Sequence, residues 1–239
     1  MSSGLDIEQR VGAGLRVAPE GARKSKANFV YATLRQAIIS GNLAPETPID
    51  KVALCERFGV SRLTVTNAIE RLAYEGLVEI EPQRGSYVTR IRLDDVRQWM
   101  FVRRVLECEV VAQAAETLSQ EAVELLARNL TYQRAAIKNG DLDGFYQLDL
   151  AFHGLLIDGL ALHRVGEVLD SVRTHIDRTR RMLLPEPGRP LGTFKEHRAI
   201  HTLIAARDRA GAVAAMAKHL DRVMSELEAF ESRHPNFFA

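Results

Sequence analysis

Four side chains in the second half of this 239-residue chain have the types and spacing of a metal site: Asp149, His153, His197 and His219. Asp149 and His153 are four residues apart, so on a helix both emerge on one face, as two ligands of one ion must. His197 falls in the first turns of a helix that starts near Thr193, and His219 lies midway along the last helix. Imidazoles with one carboxylate suit a first-row divalent ion, Zn²⁺ first, with Ni²⁺ or Mn²⁺ as alternatives. An ion that takes more than four donors keeps a position for water or a small ligand, which is what a sensor needs. Spacing alone leaves the bland reading standing, because an aspartate one turn from a histidine commonly makes a surface hydrogen bond. It also leaves open whether His197 or His201, one turn later, faces inward, and His163 and His175 are spare.

A second constellation could read nucleic acid. Gly59-Val60-Ser61-Arg62 has the form of a tight turn, a helix cap and a first-turn arginine. Such a helix start favours phosphate and can be aimed at base edges in the major groove. Arg62 can pair with a phosphate or a guanine, Thr64, Thr66 and Asn67 can hydrogen-bond bases or backbone, and Leu63 can meet a thymine methyl. Val65, Ala68, Ile69 and Leu72 fall on the opposite, packing face. Further on, Arg84-Gly85 sits between two short alternating runs, at the tip of an expected hairpin that could enter a minor groove.

The elements that must hold these residues follow from periodicity and breakers. A helix runs from about Asn28 to Gly41. Pro45 and Pro48 hold an extended connection, and a second helix is capped by Asp50, with Val52, Ala53 and Leu54 inward. A third runs from Arg62 to about Glu75, followed by the hairpin of residues 77–81 and 86–90. This order is that of a winged helix-turn-helix. From Leu93 on, the chain reads as an all-helical bundle. Its helices are opened by Asp94 and Ser119, broken at Asn139-Gly140-Asp141, and opened again by a capping box at Thr193-x-x-Glu196 and by Asp208. The expected organisation is therefore mainly α: a flexible extension over 1–27, a winged domain over 28–91 and a helical, dimerising effector domain over 92–239.

Composition limits the alternatives. The net charge is +1, divided as +3 for residues 1–92 and −2 beyond, so DNA contact must come from placed residues rather than bulk charge. Cys55 and Cys108, each within a helical apolar pattern, offer no disulfide framework and read as two small buried hydrophobes. No apolar run approaches the roughly 18 residues of a membrane span, and the N-terminal residues lack a signal-type apolar segment, so a cytoplasmic protein is expected.

Two stretches carry a resemblance. Residues 34–43, Phe58-Gly59-Val60-Ser61-Arg62-Leu63-Thr64-Val65, Glu75-Gly76-Leu77-Val78 and Arg84-Gly85-Ser86-Tyr87-Val88 are similar to the DNA-binding domain of the GntR family, which adds Arg35 to the candidate DNA contacts. The chain departs from the family at Pro45-Glu46, where Pro-Gly is usual, and at Thr66-Asn67, where Arg-Glu is usual. The second departure implies an operator unlike the common family site. Residues 102–107, Asp149-Leu150-Ala151-Phe152-His153, Glu196-His197-Arg198-Ala199-Ile200 and 214–220 resemble the FCD-type effector domain of the FadR-like branch. That resemblance implies a metal on Asp149, His153, His197 and His219 and a small carboxylic acid beside it, paired with Arg103. The plain alternative for Arg103 is an ion pair with Glu107 on the same helix.

The expectation is thus a repressor that binds a near-palindromic operator in double-stranded DNA as a homodimer and responds to a small organic acid. The rival class is a metal-dependent enzyme built on the same Asp/His₃ set. No general-base motif accompanies those ligands, and the winged module would have no role in it.

Overall fold

The computed structural model describes residues 26–239, which divide into two compact units: the residues through Arg92 together with His234–Ala239, and Leu93–Arg233. The expected extension, 1–27, lies outside the described residues except for Lys26 and Ala27, which already belong to the first helix. No helix among the described residues is long and apolar enough to cross a membrane.

In the first unit, α1 (Lys26–Ile39), α2 (Lys51–Phe58) and α3 (Arg62–Tyr74) precede a hairpin of β1 (Val78–Glu81) and β2 (Gly85–Val88). Val30, Leu34 and Ile38 of α1 close on Val65, Ile69 and Leu72 of α3, with Val78 and Val88 of the hairpin completing the core. The strands are antiparallel in the register Val78↔Val88 to Glu81↔Gly85. The α1–α2 connection docks along β2, where Glu46 N donates to Val88 O at 2.8 Å and Val88 N to Thr47 O at 3.0 Å. Asp50 caps α2 as its sequence position implies, accepting from the Val52 and Ala53 amides. Val52 and Ala53 do not turn inward, however: Val52 is 58% exposed, and α2 packs instead through Leu54, Cys55 and Phe58. With only eight residues, α2 presents a single narrow stripe to α3, and a cap leaves its first turn outside. His234–Ala239 return to this unit through a bridge between Ile91 and Phe238, so the helical region ends at Arg233 rather than at the last residue.

The second unit consists of α4 (Leu93–Thr117), α5 (Gln120–Lys138), α6 (Leu142–Gly159), α7 (His163–Leu183), α8 (Arg189–Ala205) and α9 (Arg209–Arg233). The capping sequences work as local chemistry dictates: the Ser119 hydroxyl accepts from Ala122 N at 3.2 Å, and Asp141 and Asp208 accept from Gly144 N at 2.8 Å and Gly211 N at 2.9 Å. One expected cap is overturned. Pro190 stands in the first turn, where a missing amide hydrogen costs nothing, and Gly188 precedes it at φ +79°, so α8 begins at Arg189. Thr193 is a buried interior residue, and Glu196 is free for other work. Both cysteines are partly exposed rather than fully buried. The bundle core is formed by residues such as Val111, Leu126, Phe152, Ile176, Ile200 and Leu220.

Candidate metal centre and DNA-reading face

Asp149 and His153 project from α6, His197 from α8 and His219 from α9, and one potential ligand atom of each lies within 4.8 Å of the others. All four are buried, His197 completely. Phe152 stacks on His197 with centroids 4.2 Å apart, which fixes the plane of that ring.

Each ring also meets a polar group on another helix. His153 Nε2 lies 3.3 Å from Arg103 Nη2. A guanidinium only donates, so in the neutral ring Nε2 accepts and the proton sits on Nδ1. That nitrogen stands 2.6 Å from Glu107 Oε2, close but off the line of a hydrogen bond. His219 Nδ1 donates to Glu196 Oε2 at 2.8 Å, and His197 Nδ1 lies 3.1 Å from Gln133 Oε1. Nδ1 of every ring therefore faces an oxygen on another helix, the kind of outer support that metal-binding rings commonly have. His197 Nε2 is buried without a hydrogen-bond partner, 3.5 Å from Asp149 Oδ1. This orphaned lone pair, with a carboxylate and two more imidazoles around it, fits a divalent ion of the zinc, nickel or manganese type.

Electrostatics hold Asp149, His197 and His219 in the charge states that ligation requires. Burial, and then neighbouring imidazoles, keep His197 and His219 well below the ordinary imidazole value. Burial opposes the charge on Asp149, but Arg180, which donates through Nη2 to Oδ2, outweighs it and holds the carboxyl well below its usual range. Glu107 is likewise held low, with Arg103 and then His153 overcoming burial. Neutral imidazoles and an ionised carboxylate are the ligating forms.

Arg103 lies in the same cluster, 4% exposed. Its Nε donates to Glu107 Oε1 at 2.6 Å, so the ion pair expected as the plain alternative is formed. Its Nη1, however, is buried with no hydrogen-bond partner. One turn earlier on α4, Trp99 lies flat on His175 of α7, centroids 4.3 Å apart and planes 4° from parallel. His201 faces away from the cluster and pairs with Val123 O at 3.2 Å.

Sequence reasoning missed Arg180, Gln133 and Glu196 as parts of this site. Arg180 sits in a basic run that reads as a solvated face, and Glu196 was absorbed by the apparent capping box. Gln133 did leave a signal, a polar residue on the apolar stripe of Leu126, Leu130 and Ala136.

On the first unit, Gly59 ends α2 at φ +58° and Ser61 caps α3, its hydroxyl accepting from Thr64 N at 3.2 Å. Arg62, Leu63 and Asn67 are exposed and Thr66 half-exposed along one stripe of α3, while Val65, Ala68, Ile69 and Leu72 are fully buried. The Thr64 hydroxyl is engaged with that of Ser61, 2.9 Å away. Arg35 donates through Nε to Glu75 at 2.9 Å and is largely covered. Arg84 is exposed at the hairpin tip beside Gly85, whose φ of +119° a side chain would strain.

A three-helix unit with a β-wing, followed in the chain by a helical bundle with a polar heart, defines a class of two-domain DNA-binding regulators. The sequence matches the model "Bacterial regulatory proteins, gntR family" over residues 26–88 and the FCD domain over 98–222, and the chain belongs to the GntR family of transcription regulators, with an FCD domain. It is 32% identical over 210 residues to the HTH-type transcriptional repressor RspR of Escherichia coli (strain K12), spanning 88% of this chain and 92% of that one. It is 30% identical over 214 residues to the HTH-type transcriptional regulator LutR of Bacillus subtilis (strain 168), spanning 81% and 97%. A GntR transcriptional regulator structure from Rhodococcus sp. RHA1 shares the fold with a TM-score of 0.71 at 24% identity over 86% of this chain and 99% of that one. E. coli McbR/YncC does so at 0.68 and 18% identity over 86% and 98%. These relatives are regulators, and the chain is a transcription regulator rather than an enzyme.

Proposed function

We propose that this regulator is a repressor that binds a near-palindromic operator as a homodimer and is switched by a small carboxylic acid held beside a divalent metal. The similarity to the repressor RspR supports the sign of regulation. Arg62, Leu63, Thr66 and Asn67 are the base-reading stripe, Ser61 and Thr64 fix the helix start at the backbone, Arg35 makes a flanking phosphate contact, and Arg84 and Gly85 form the minor-groove tip. Two-fold symmetry of the dimer is mirrored in half-sites spaced by about one helical turn.

The observation that carries the effector reading is the buried, unpartnered Nη1 of Arg103. A donor in that position is costly unless something accepts from it. Asp149, His153, His197 and His219 would hold the ion, zinc first, which supplies a Lewis-acidic anchor for a carboxylate. With the His153 lone pair given to an ion, Arg103 Nη2 also loses its acceptor, and the two Nη groups then form the edge that pairs bidentately with a carboxylate. Arg103 lies on α4, which follows the wing directly in the chain. An acid that binds one arrangement of α4 better than the other shifts the population that fits the operator.

The test uses duplexes selected from a random pool by the purified, zinc-loaded protein. Binding is expected to weaken steeply with salt and to recover a site unlike the common family operator, because Thr66-Asn67 replaces the usual Arg-Glu. A panel of small carboxylates should change that affinity. The double variant Arg103→Ala/Glu107→Gln should keep operator binding and lose the response. A normal response in the variant, or no salt-sensitive binding to any duplex, refutes the proposal.

A further inference from the structure

Asn129 and Gln133 are buried amides one turn apart on the apolar stripe of α5, 6% and 0% exposed. Their hydrogen bonds run in a single direction. The main-chain carbonyl of Leu148, inside α6, can only accept, so Asn129 turns its Nδ2 to it at 3.1 Å. This leaves Asn129 Oδ1 facing α5, where Gln133 Nε2 donates to it at 2.7 Å. Gln133 is left with Oε1 toward His197 Nδ1, 3.1 Å away. An amide oxygen only accepts, so Nδ1 carries the proton and Nε2 keeps its lone pair. That nitrogen is the orphaned one, 3.5 Å from Asp149 Oδ1. The Phe152 stack fixes the plane of the ring but not which nitrogen is protonated; the amides determine that. Two leucines would fill the stripe without the cost of desolvating amides, so the chain of bonds ending at His197 gives these residues their reason.

We propose that Asn129 and Gln133 are positioning residues, a relay running from the Leu148 carbonyl that locks His197 in its Nδ1–H tautomer and presents Nε2 as a ready metal donor. The inference rests on the metal reading above and deepens it. Two measurements on the full chain test it: Zn²⁺ affinity by competition with a chelating dye, and the tautomer of His197 by long-range ¹H–¹⁵N correlation in the metal-free protein. Wild type should show Nδ1–H. Gln133→Met, close in volume but without the acceptor, should bind Zn²⁺ about 10–100-fold more weakly and show Nε2–H signal. Gln133→Glu, which restores an oxygen toward Nδ1, should recover much of the affinity. An Nε2–H ring in wild type, or wild-type Zn²⁺ affinity in a folded Gln133→Met, overturns the relay. The wild-type tautomer decides the matter even if Gln133→Met does not fold. A wild type with Nδ1–H that binds no Zn²⁺ sinks the metal reading and leaves the relay standing as a device that orients His197.

Discussion

Arg103 and Glu107 are paired out of reach of water at 4% and 6% exposure, so neither is removed without consequence for the other. Arg103→Ala alone should destabilise the bundle by about 3–5 kcal/mol, because it strands a buried carboxylate. Adding Glu107→Gln should recover much of that loss, and urea denaturation of the single and double variants checks both statements. The imidazoles set a second expectation, for the metal-free protein. His197 and His219 have folded values well below those of the unfolded chain, so below about pH 6.5 the unfolded state binds protons that the folded state does not. Stability must then fall with acid, by up to about 1.4 kcal/mol per pH unit for each ring. Asp149 and Glu107, also held low, add a loss of the same sign as pH drops through the carboxylate range below about pH 4. Denaturation midpoints that stay level between pH 7 and pH 5 would contradict this. Spacing singled out Asp149 and His153 but left His197 and His201 unseparated, and it was the resemblance that implied the set of four. Their outer partners were not legible, since nothing local distinguishes Glu196 or Arg180 from surface charge until the helices pack.

At the scale of elements, most boundaries were readable because capping is local chemistry, and Asp50, Ser61, Ser119, Asp141 and Asp208 all sit at helix starts. The start of α8 was misread because two local signals competed and the proline won. Val52 was misread because an eight-residue helix has too few turns for periodicity to separate its faces. The resemblance flagged Glu46 only as a departure from Pro-Gly, and the structure gives it physical content. Glu46 sits at φ +63°, the left-handed region that glycine enters without penalty, and its side chain pairs with Arg90 at 2.7 Å. Glu46→Gly should relieve strain of about 1 kcal/mol, offset in part by the freer unfolded chain and the lost exposed pair. Thermal melting should show a small gain, and a clear loss would mean that the Arg90 pair outweighs the strain.

For the whole molecule, the two units have separate cores, so a ligand of the bundle should act first on the bundle's own unfolding. Free Zn²⁺ at about 100 times its dissociation constant should add about 2.7 kcal/mol to that transition, and a chelator should remove it. Calorimetry with and without chelator checks this, and identical traces would leave the Asp/His₃ cluster as mere packing. Division of the chain near residue 92 could be anticipated, because a hairpin gives way there to unbroken helix. The return of the last six residues could not, since a bridge between Ile91 and Phe238 has no signature in either segment. Trp99 is the chain's only indole, and it rests face to face on an imidazole from another helix, one turn from Arg103. Its emission under 295 nm excitation therefore comes from a single seam between α4 and α7. If an organic acid makes these helices slide, the overlap of the rings changes and the spectrum moves, so the protein carries its own optical gauge of occupancy, and an unlabelled sample suffices to screen metabolites.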